Sequence, residues 1–297
     1  MGASLVDLSG ELAAVVESAT SSVVRVEGRR RSASSGVAWS ADGVIVTSHH
    51  TVDGEEDVPV GLHDGRTVSA RVVGRDPGSD LAVLRAEVTG LAAPRWAEGT
   101  TPRVGHIVVG VSRPGRTARA RLGVVSAVAG EWRTPAGGRL ESYLETDIDP
   151  RPGFSGGLLL GADGRAIGVT TAGLVRGTGM AIAVPSLRRV VEALLAHGRM
   201  RRGYLGLGTQ TIAMVPPQAG QTAALIVLSV QPDSPAARAG LMVGDLLLRA
   251  GEDRLTHPAA LMPALDEDRV GHELRLRILR AGEERDVTIV VGEREAA

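Results

Sequence analysis

Three short stretches carry side chains that could act on one another. "IVTSHHTV" (45–52) sets His49 and His50 directly after an apolar run. "DPGSDLAVLR" (76–85) sets Asp80 at the head of another. "PGFSGG" (152–157) sets Ser155 between the only Phe of the chain, Phe154, and two glycines. A serine nucleophile needs a general base, and the base needs a carboxylate to orient it. At this level both histidines are candidates for the base. The glycine turn around Ser155 reads either as a hairpin corner or as a strained seat for a nucleophile. Other chemistries are excluded by composition. With no Cys there is no thiolate, disulfide or Cys-ligated metal. With no Lys, every basic residue being Arg, there is no Ser–Lys dyad. The 33 basic and 34 acidic residues leave a net charge of -1, which offers no electrostatic reason for a nucleic acid or an anionic membrane as partner.

These residues need a scaffold. The chain has 297 residues, 43% hydrophobic and 23% charged, a soluble composition with length for two domains. Aromatics supply only 2%, so the cores must be built from Val, Leu, Ile and Ala. From residue 22 to 185, short β-branched runs alternate with turn signals such as "ADG", "HDG" and "GADG", the pattern of an all-β barrel or sandwich pair. "LSGELAAVVESA" (8–19) predicts a helix starting at Ser9. "SLRRVVEALLAHG" (186–198) predicts a helix capped by Ser186 and ended by Gly198. The expected organisation is a helical segment over 1–20, a β domain over 21–198, a basic linker over 199–203 and a second unit over 204–297. The second unit predicts strands at 225–230, 246–251, 273–279 and 286–291, with helices near 234–240 and 258–266. The N-terminus lacks the basic start and apolar run of a signal peptide, and no stretch reaches the roughly 20 apolar residues of a membrane span. The chain as it stands reads as cytoplasmic. A chain trimmed of an N-terminal anchor would read the same and be periplasmic or extracellular.

His, then Asp, then Ser on a double β-barrel is the chain order of chymotrypsin-like proteases. The sequence resembles the HtrA (Deg) family of serine proteases in particular. "VTSHHTV" is similar to that family's V-T-N-N-H-V-V, and "SDLAVLR" to its D-L-A-V-L-K. "TDIDPRPGFSGGLLLGADGRAIGV" resembles the family's nucleophile segment. "GMAIAVPSLRRVVEALLAHGRMRRGYLGL" resembles the passage from protease to PDZ domain, and "SPAARAGLMVGDLLLRAGE" a PDZ pattern. The resemblance runs over about 20–295, in order. It implies a mainly β fold, a chymotrypsin-like double β-barrel protease domain followed by a smaller α+β PDZ domain.

The resemblance implies that His50 is the base, since in the family's T-x-x-H pattern Thr47 puts it there and leaves His49 as its neighbour. The implied mechanism has His50 taking the proton of Ser155, Asp80 fixing the tautomer of His50, and the N–H groups of Gly153 and Ser155 forming the oxyanion hole. No metal or organic cofactor is called for. The family usually has Asn where Phe154 stands. Phe154 is expected to face away from substrate as an apolar plug beneath the oxyanion loop, the rival being that it disrupts the hole. The two prolines of "DPRP" (149–152) are expected to stiffen that loop. In chymotrypsin-like proteases the base of the S1 pocket lies six residues before the nucleophile, and the resemblance implies Asp149 for that place. Thr171, Ala172, Gly173 and Gly179 are its expected walls, a slot suited to P1 Arg unless Asp149 pairs with Arg151 and P1 stays aliphatic. In the second unit, Leu205, Gly206 and Leu207 resemble the loop that holds a peptide's terminal carboxylate. The implied function is an ATP-independent endopeptidase acting on unfolded or damaged proteins, with C-terminal peptides bound at the PDZ domain. The alternative is a weakly active or inactive peptide-binding scaffold. HtrA-like proteins are commonly trimers built on N-terminal aromatics. Here no aromatic precedes residue 39, which leaves a homo-oligomer open and puts the trimer in question.

Overall fold

The computed structural model describes residues 4–29, 33–54, 56–99, 102–175, 177–218 and 220–294. The chain divides into two compact units, Met1–Met200 and Arg201–Ala297.

The first unit holds two closed six-stranded antiparallel barrels. The first barrel consists of β1 (Val23–Val26), β2 (Ser34–Ala38), β3 (Val44–Ser48), β4 (Val58–Gly61), β5 (Thr67–Asp76) and β6 (Leu81–Ala86), in the order β1-β2-β3-β6-β5-β4. After it come β7 (Ile107–Ser112), β8 (Arg119–Ala129), the short pair β9 (Trp132–Arg133) and β10 (Arg139–Leu140), then β11 (Tyr143–Thr146), β12 (Leu158–Gly161), β13 (Ala166–Thr171) and β14 (Gly179–Ala183). The second barrel runs β11-β14-β13-β12-β7-β8, without the short pair. β-Branched and Leu side chains alternate into each barrel as a period of two requires. Val24, Val26, Ile45, Val60 and Leu84 fill one interior, and Val108, Val125, Leu144, Leu159 and Ala181 the other. A third cluster joins the barrels through Val37, Val46, Val83, Val111, Leu158 and Val169, and takes in Leu187, Val190, Val191 and Leu194 of helix α2 (Val184–His197). As composition dictates, these cores are almost wholly aliphatic.

Helix α1 (Leu5–Ala19) begins earlier than the sequence pattern suggests. Its cap is Ser4, which accepts a bond from Asp7 N–H while Asp7 receives the Ser4 N–H, a reciprocal capping box. Ser9 lies inside the helix. Leu12, Val15 and Val16 of α1 pack on the inter-barrel core. In α2 the expected cap Ser186 lies inside the helix instead, the cap position being Ala183 with no side-chain cap bond. Its buried hydroxyl accepts from the N–H groups of Glu141 and Ser142 and donates to Ser142 O, tying the helix to the start of β11. Gly198 ends α2 in the left-handed region at φ 71, as expected.

The second unit is a six-stranded antiparallel sheet of β16 (Leu207–Gln218), β17 (Gln221–Val230), β18 (Leu246–Ala250), β19 (Asp253–Arg254), β20 (Glu273–Arg280) and β21 (Glu283–Val290). Beside it lies a two-residue ladder between β15 (Gly203–Tyr204) and β22 (Gly292–Glu293). Helix α3 (Pro235–Arg238) is capped by Ser234. The helix expected near 258–266 is instead 3₁₀ structure over Pro258–Leu265. Pro263 inside it lacks the N–H that an α-helical ladder needs there.

Candidate active site

Each of the three candidate triad residues leaves the end of a strand. β3 runs into a single 3₁₀ turn, His49–Thr51, that carries His50. Asp80 stands immediately before β6 at φ 57, a conformation Asp tolerates better than most residues. That backbone lets its carbonyl accept His49 N–H at 2.9 Å while its carboxylate turns to His50. Asp80 Oδ1 accepts His50 N–H at 2.9 Å, and Oδ2 lies 2.8 Å from His50 Nδ1. The Thr171 hydroxyl donates to the same Oδ2. Burial of Asp80 opposes its charge, but the hydrogen bonds from His50 and Thr171 outweigh it and hold the carboxyl below the usual carboxylate range. A carboxylate on Nδ1 places the neutral imidazole proton there and leaves the Nε2 lone pair free to accept. His49 is half-buried, and its burial lowers its pKa.

Ser155 sits in the 151–157 loop between β11 and β12, close to His50. No hydrogen bond joins the two. Ser155 Oγ instead accepts Ala172 N–H at 3.3 Å. Apo geometry of this kind tightens when substrate arrives. The end of β13 and the two residues after it touch all three residues. Thr171 holds Asp80, Ala172 holds Ser155, and Gly173 abuts the pair between them. A Cβ at Gly173 would lie 2.6 Å from Asp80 Oδ2 and 2.7 Å from His50 Nδ1. Gly173, expected as a wall of S1, is therefore placed against the Asp80–His50 pair.

The loop around Ser155 is fixed by the opposite barrel. Ser35 of β2 donates from Oγ to Gly153 O at 2.7 Å and from N–H to Ser155 O at 3.1 Å. Arg113 N–H donates to Ser35 Oγ at 2.8 Å, and Thr47 Oγ1 to Ser35 O at 2.6 Å. Arg113 is 3% exposed, and its guanidinium donates to the carbonyls of Val23, Arg116 and Thr20 at 2.7–2.8 Å. Gly153 (φ 88) and Gly156 (φ 79) both take left-handed backbone, and a Cβ on either would collide, with Pro114 and with Ser35 O respectively. Among the described residues the N–H groups of Gly153 and Ser155 have no protein acceptor, so both are available to an oxyanion. Ser35, Arg113 and Thr170, whose hydroxyl holds Phe154 O at 2.6 Å, escape sequence reading. Only the barrel topology brings the first two to the loop.

The expected S1 residues other than Gly173 meet at a small cavity beside Ser155. Thr146, Ile148, Asp149, Phe154, Thr171, Ala172 and Gly179 line it, and its volume is about 20 Å³. Phe154 is 6% exposed, borders both this cavity and a second one lined by Arg119, Ala120, Arg121, Arg151 and Pro152, and its ring centroid lies 5.2 Å from the Arg121 guanidinium. Two expectations are revised at the cavity. Asp149 is no buried floor. Its side chain is 57% exposed and paired with Arg151 at 2.9 Å. Gly179 does not open the wall, because a Cβ there would strike Ile148 O.

In the second unit, Leu205, Gly206 and Leu207 border a groove of about 770 Å³ that also has Leu261, Met262 and Leu265 on its walls. The Leu205 side chain is buried in the core of that unit, so its backbone alone faces the groove. Gly206 is left-handed at φ 78 and packs on Ser234. Its carbonyl accepts Gln231 N–H, and Leu205 O accepts Ala236 N–H, which turns both carbonyls inward.

Comparison with known proteins agrees in both units. Residues 34–169 match the trypsin-like peptidase domain family, and residues 203–291 the PDZ domain family. A Halomonas elongata protein named "Probable periplasmic serine endoprotease DegP-like" is 32% identical over 278 residues, which span 89% of this chain and 57% of the relative. The chain therefore covers little more than half the length of that relative. "Serine endoprotease DegS" of Escherichia coli is 30% identical over 276 residues, 89% of this chain and 77% of that protein. The crystal structure of the serine endoprotease from Yersinia pestis superposes with a TM-score of 0.75 at 31% identity, covering 95% of this chain and 97% of the other. The HtrA-type protease AlgW with a decapeptide gives 0.77 at 27% identity, covering 96% and 99%. This chain belongs to the HtrA family of trypsin-like serine endoproteases that carry a PDZ domain.

Proposed function

We propose that the chain is an ATP-independent serine endopeptidase that cleaves unfolded or damaged proteins and binds peptide C-termini at its PDZ domain. The observation that carries this reading is the His50–Asp80 pair beside a serine whose loop leaves two N–H groups free. In the mechanism, Ser155 Oγ attacks the scissile carbonyl while His50 Nε2 takes its proton. Asp80 stabilises the imidazolium so formed. Gly153 and Ser155 N–H groups receive the negative charge of the tetrahedral intermediate, and His50 returns the proton to the leaving amine. Each donor of such a hole is worth about 3–4 kcal/mol in the transition state. Hydrolysis of the peptide is itself downhill, so no nucleotide enters.

The PDZ part rests on Leu205 and Gly206, whose inward carbonyls leave outward N–H groups at the mouth of the groove, and on solved HtrA-type relatives named with bound peptides. The names of the relatives also favour a periplasmic setting over the cytoplasmic reading. Among the described residues no helix is long and apolar enough to cross a membrane. Casein digestion in ATP-depleted buffer, with a fluorophosphonate label on the serine, tests the enzyme reading. Digestion and labelling that both vanish in Ser155→Ala support it. Wild type that neither labels nor cleaves, with or without C-terminal peptides, would leave the scaffold alternative.

A further inference from the structure

Arg113 directly follows β7, and its side chain has no part in the reaction steps above, yet its surroundings lead to the oxyanion hole. The residue is 3% exposed. All three guanidinium nitrogens are engaged: Nε donates to Val23 O at 2.7 Å, and the two terminal nitrogens donate to Arg116 O and Thr20 O at 2.8 Å each. Among the described residues no acidic side chain pairs with it, and burial alone lowers its pKa. A buried cation without a counter-charge costs stability, whereas an apolar side chain of like size would fill the same space. What the guanidinium adds is direction, since its planar fork fixes several partners at once. One of those partners, Thr20, caps the C-terminal end of α1, whose last turn has no basic residue of its own. The cation therefore meets the negative end of that helix.

The segment so anchored bears on Gly153 in two ways. Arg113 N–H donates to Ser35 Oγ at 2.8 Å, and Ser35 Oγ donates to Gly153 O at 2.7 Å. With one lone pair taken by Arg113, the hydroxyl proton is aimed at Gly153 O. Pro114, the next residue, packs on Gly153 so closely that a Cβ there would lie 2.4 Å from Pro114 Cβ. Gly153 is thus held at its carbonyl and at its Cα, which leaves its N–H little freedom to turn.

We propose that Arg113 is a positioning residue for the oxyanion hole: its buried guanidinium anchors the 113–116 segment to the end of α1 and to β1, and that segment holds Gly153 through Ser35 and Pro114. This rests on the endopeptidase reading above. The inference concerns how one donor of the hole is kept in place, not the triad.

The test measures kcat and KM for one casein-derived peptide, well below the unfolding temperature, with full-length wild type, Arg113→Met, Arg113→Lys, Ser35→Ala and the double variant Arg113→Met with Ser35→Ala. Arg113→Met should lower kcat by about 10²-fold, the scale of a lost oxyanion donor, and leave KM within about twofold. Fluorophosphonate labelling should slow in step. Arg113→Lys keeps the charge and three donors, and should be at least about threefold faster than Arg113→Met. The double variant should lie within about threefold of the slower single variant, because both changes act on the same donor. A folded Arg113→Met with wild-type kcat, a loss confined to KM, a Lys variant no faster than the Met variant, or losses that multiply in the double variant each overturn the inference and leave the enzyme reading standing. Wild type that neither labels nor cleaves overturns both. If Arg113→Met does not fold, Arg113→Gln, alone and with Ser35→Ala, is judged by the same kcat, KM and double-variant criteria.

Discussion

The catalytic cleft of the first unit and the groove of the second use glycine in similar ways but differ in how much room they leave. Around Ser155, Gly153, Gly156 and Gly179 each pack so closely that a Cβ would meet another part of the chain, and the cavity beside the nucleophile is about 20 Å³. Around Gly206 the backbone is equally fixed, by Ser234 and by the bonds of Gln231 and Ala236, yet the space in front is about 770 Å³. The difference follows from the tasks. Transition-state donors must already stand where charge develops, since a shift of an ångström costs most of their effect. A groove that receives a peptide needs fixed N–H groups at one end and open apolar walls along its length.

The comparison can be broken most sharply at the triad. Ser155→Ala and His50→Ala should each lower casein hydrolysis by about 10⁶-fold. His49→Ala should retain most of the activity, because the bond from residue 49 to Asp80 O is made by backbone. A folded His49→Ala as inactive as His50→Ala would refute the assignment of the base. Next in size is Gly156→Ala, which should cost at least about 10²-fold in kcat, the scale of a lost oxyanion donor. Near-normal turnover in that variant would show that the loop is not held by Ser35 as described.

Gly206→Ala tests the other side. It should weaken a C-terminal peptide by about 10-fold or more, with wild type preferring the free carboxylate over the amide of the same peptide. Equal affinity of wild type for the two forms would remove the carboxylate role of the loop. The smallest effect concerns acid. The carboxyl of Asp80 is held below its ordinary value of about 3.9, so the stability it adds is complete above that pH and is lost as pH falls through the lower, folded value. Between pH 5 and 2, wild type should therefore lose more Tm than Asp80→Asn, whatever the other carboxylates contribute to both. Parallel acid profiles would show that the charge of Asp80 is not favoured by folding.

The three candidate triad residues were legible as residue types in the chain order His, Asp, Ser, while the choice of His50 over His49 came from the family resemblance. The barrels were legible from a period of two, and Gly198 from the need for a left-handed residue. What stayed hidden depended on direction. Counting back six residues finds Asp149, but its side chain turns out to Arg151, a direction that no spacing encodes. Thr171 was read as a pocket wall, yet its hydroxyl holds Asp80. Ser35 carries no sequence signal, since its partners lie 118 positions away at Gly153 and 78 away at Arg113. The 258–266 segment has helical apolar spacing, and one proline changed its hydrogen bonding.

Ser35 belongs to the first barrel, and three of its hydrogen bonds reach Gly153, Ser155 and Arg113, which follow strands of the second. The conformation of the nucleophile loop is thus a property of the closed barrel pair, not of the loop. The bonded amides of Gly156 and Gly157, which donate to Thr170 O and Phe154 O, should exchange with solvent on the slow timescale of subglobal or global opening. Heat inactivation should then track unfolding of the whole first unit, with no earlier melting of the loop.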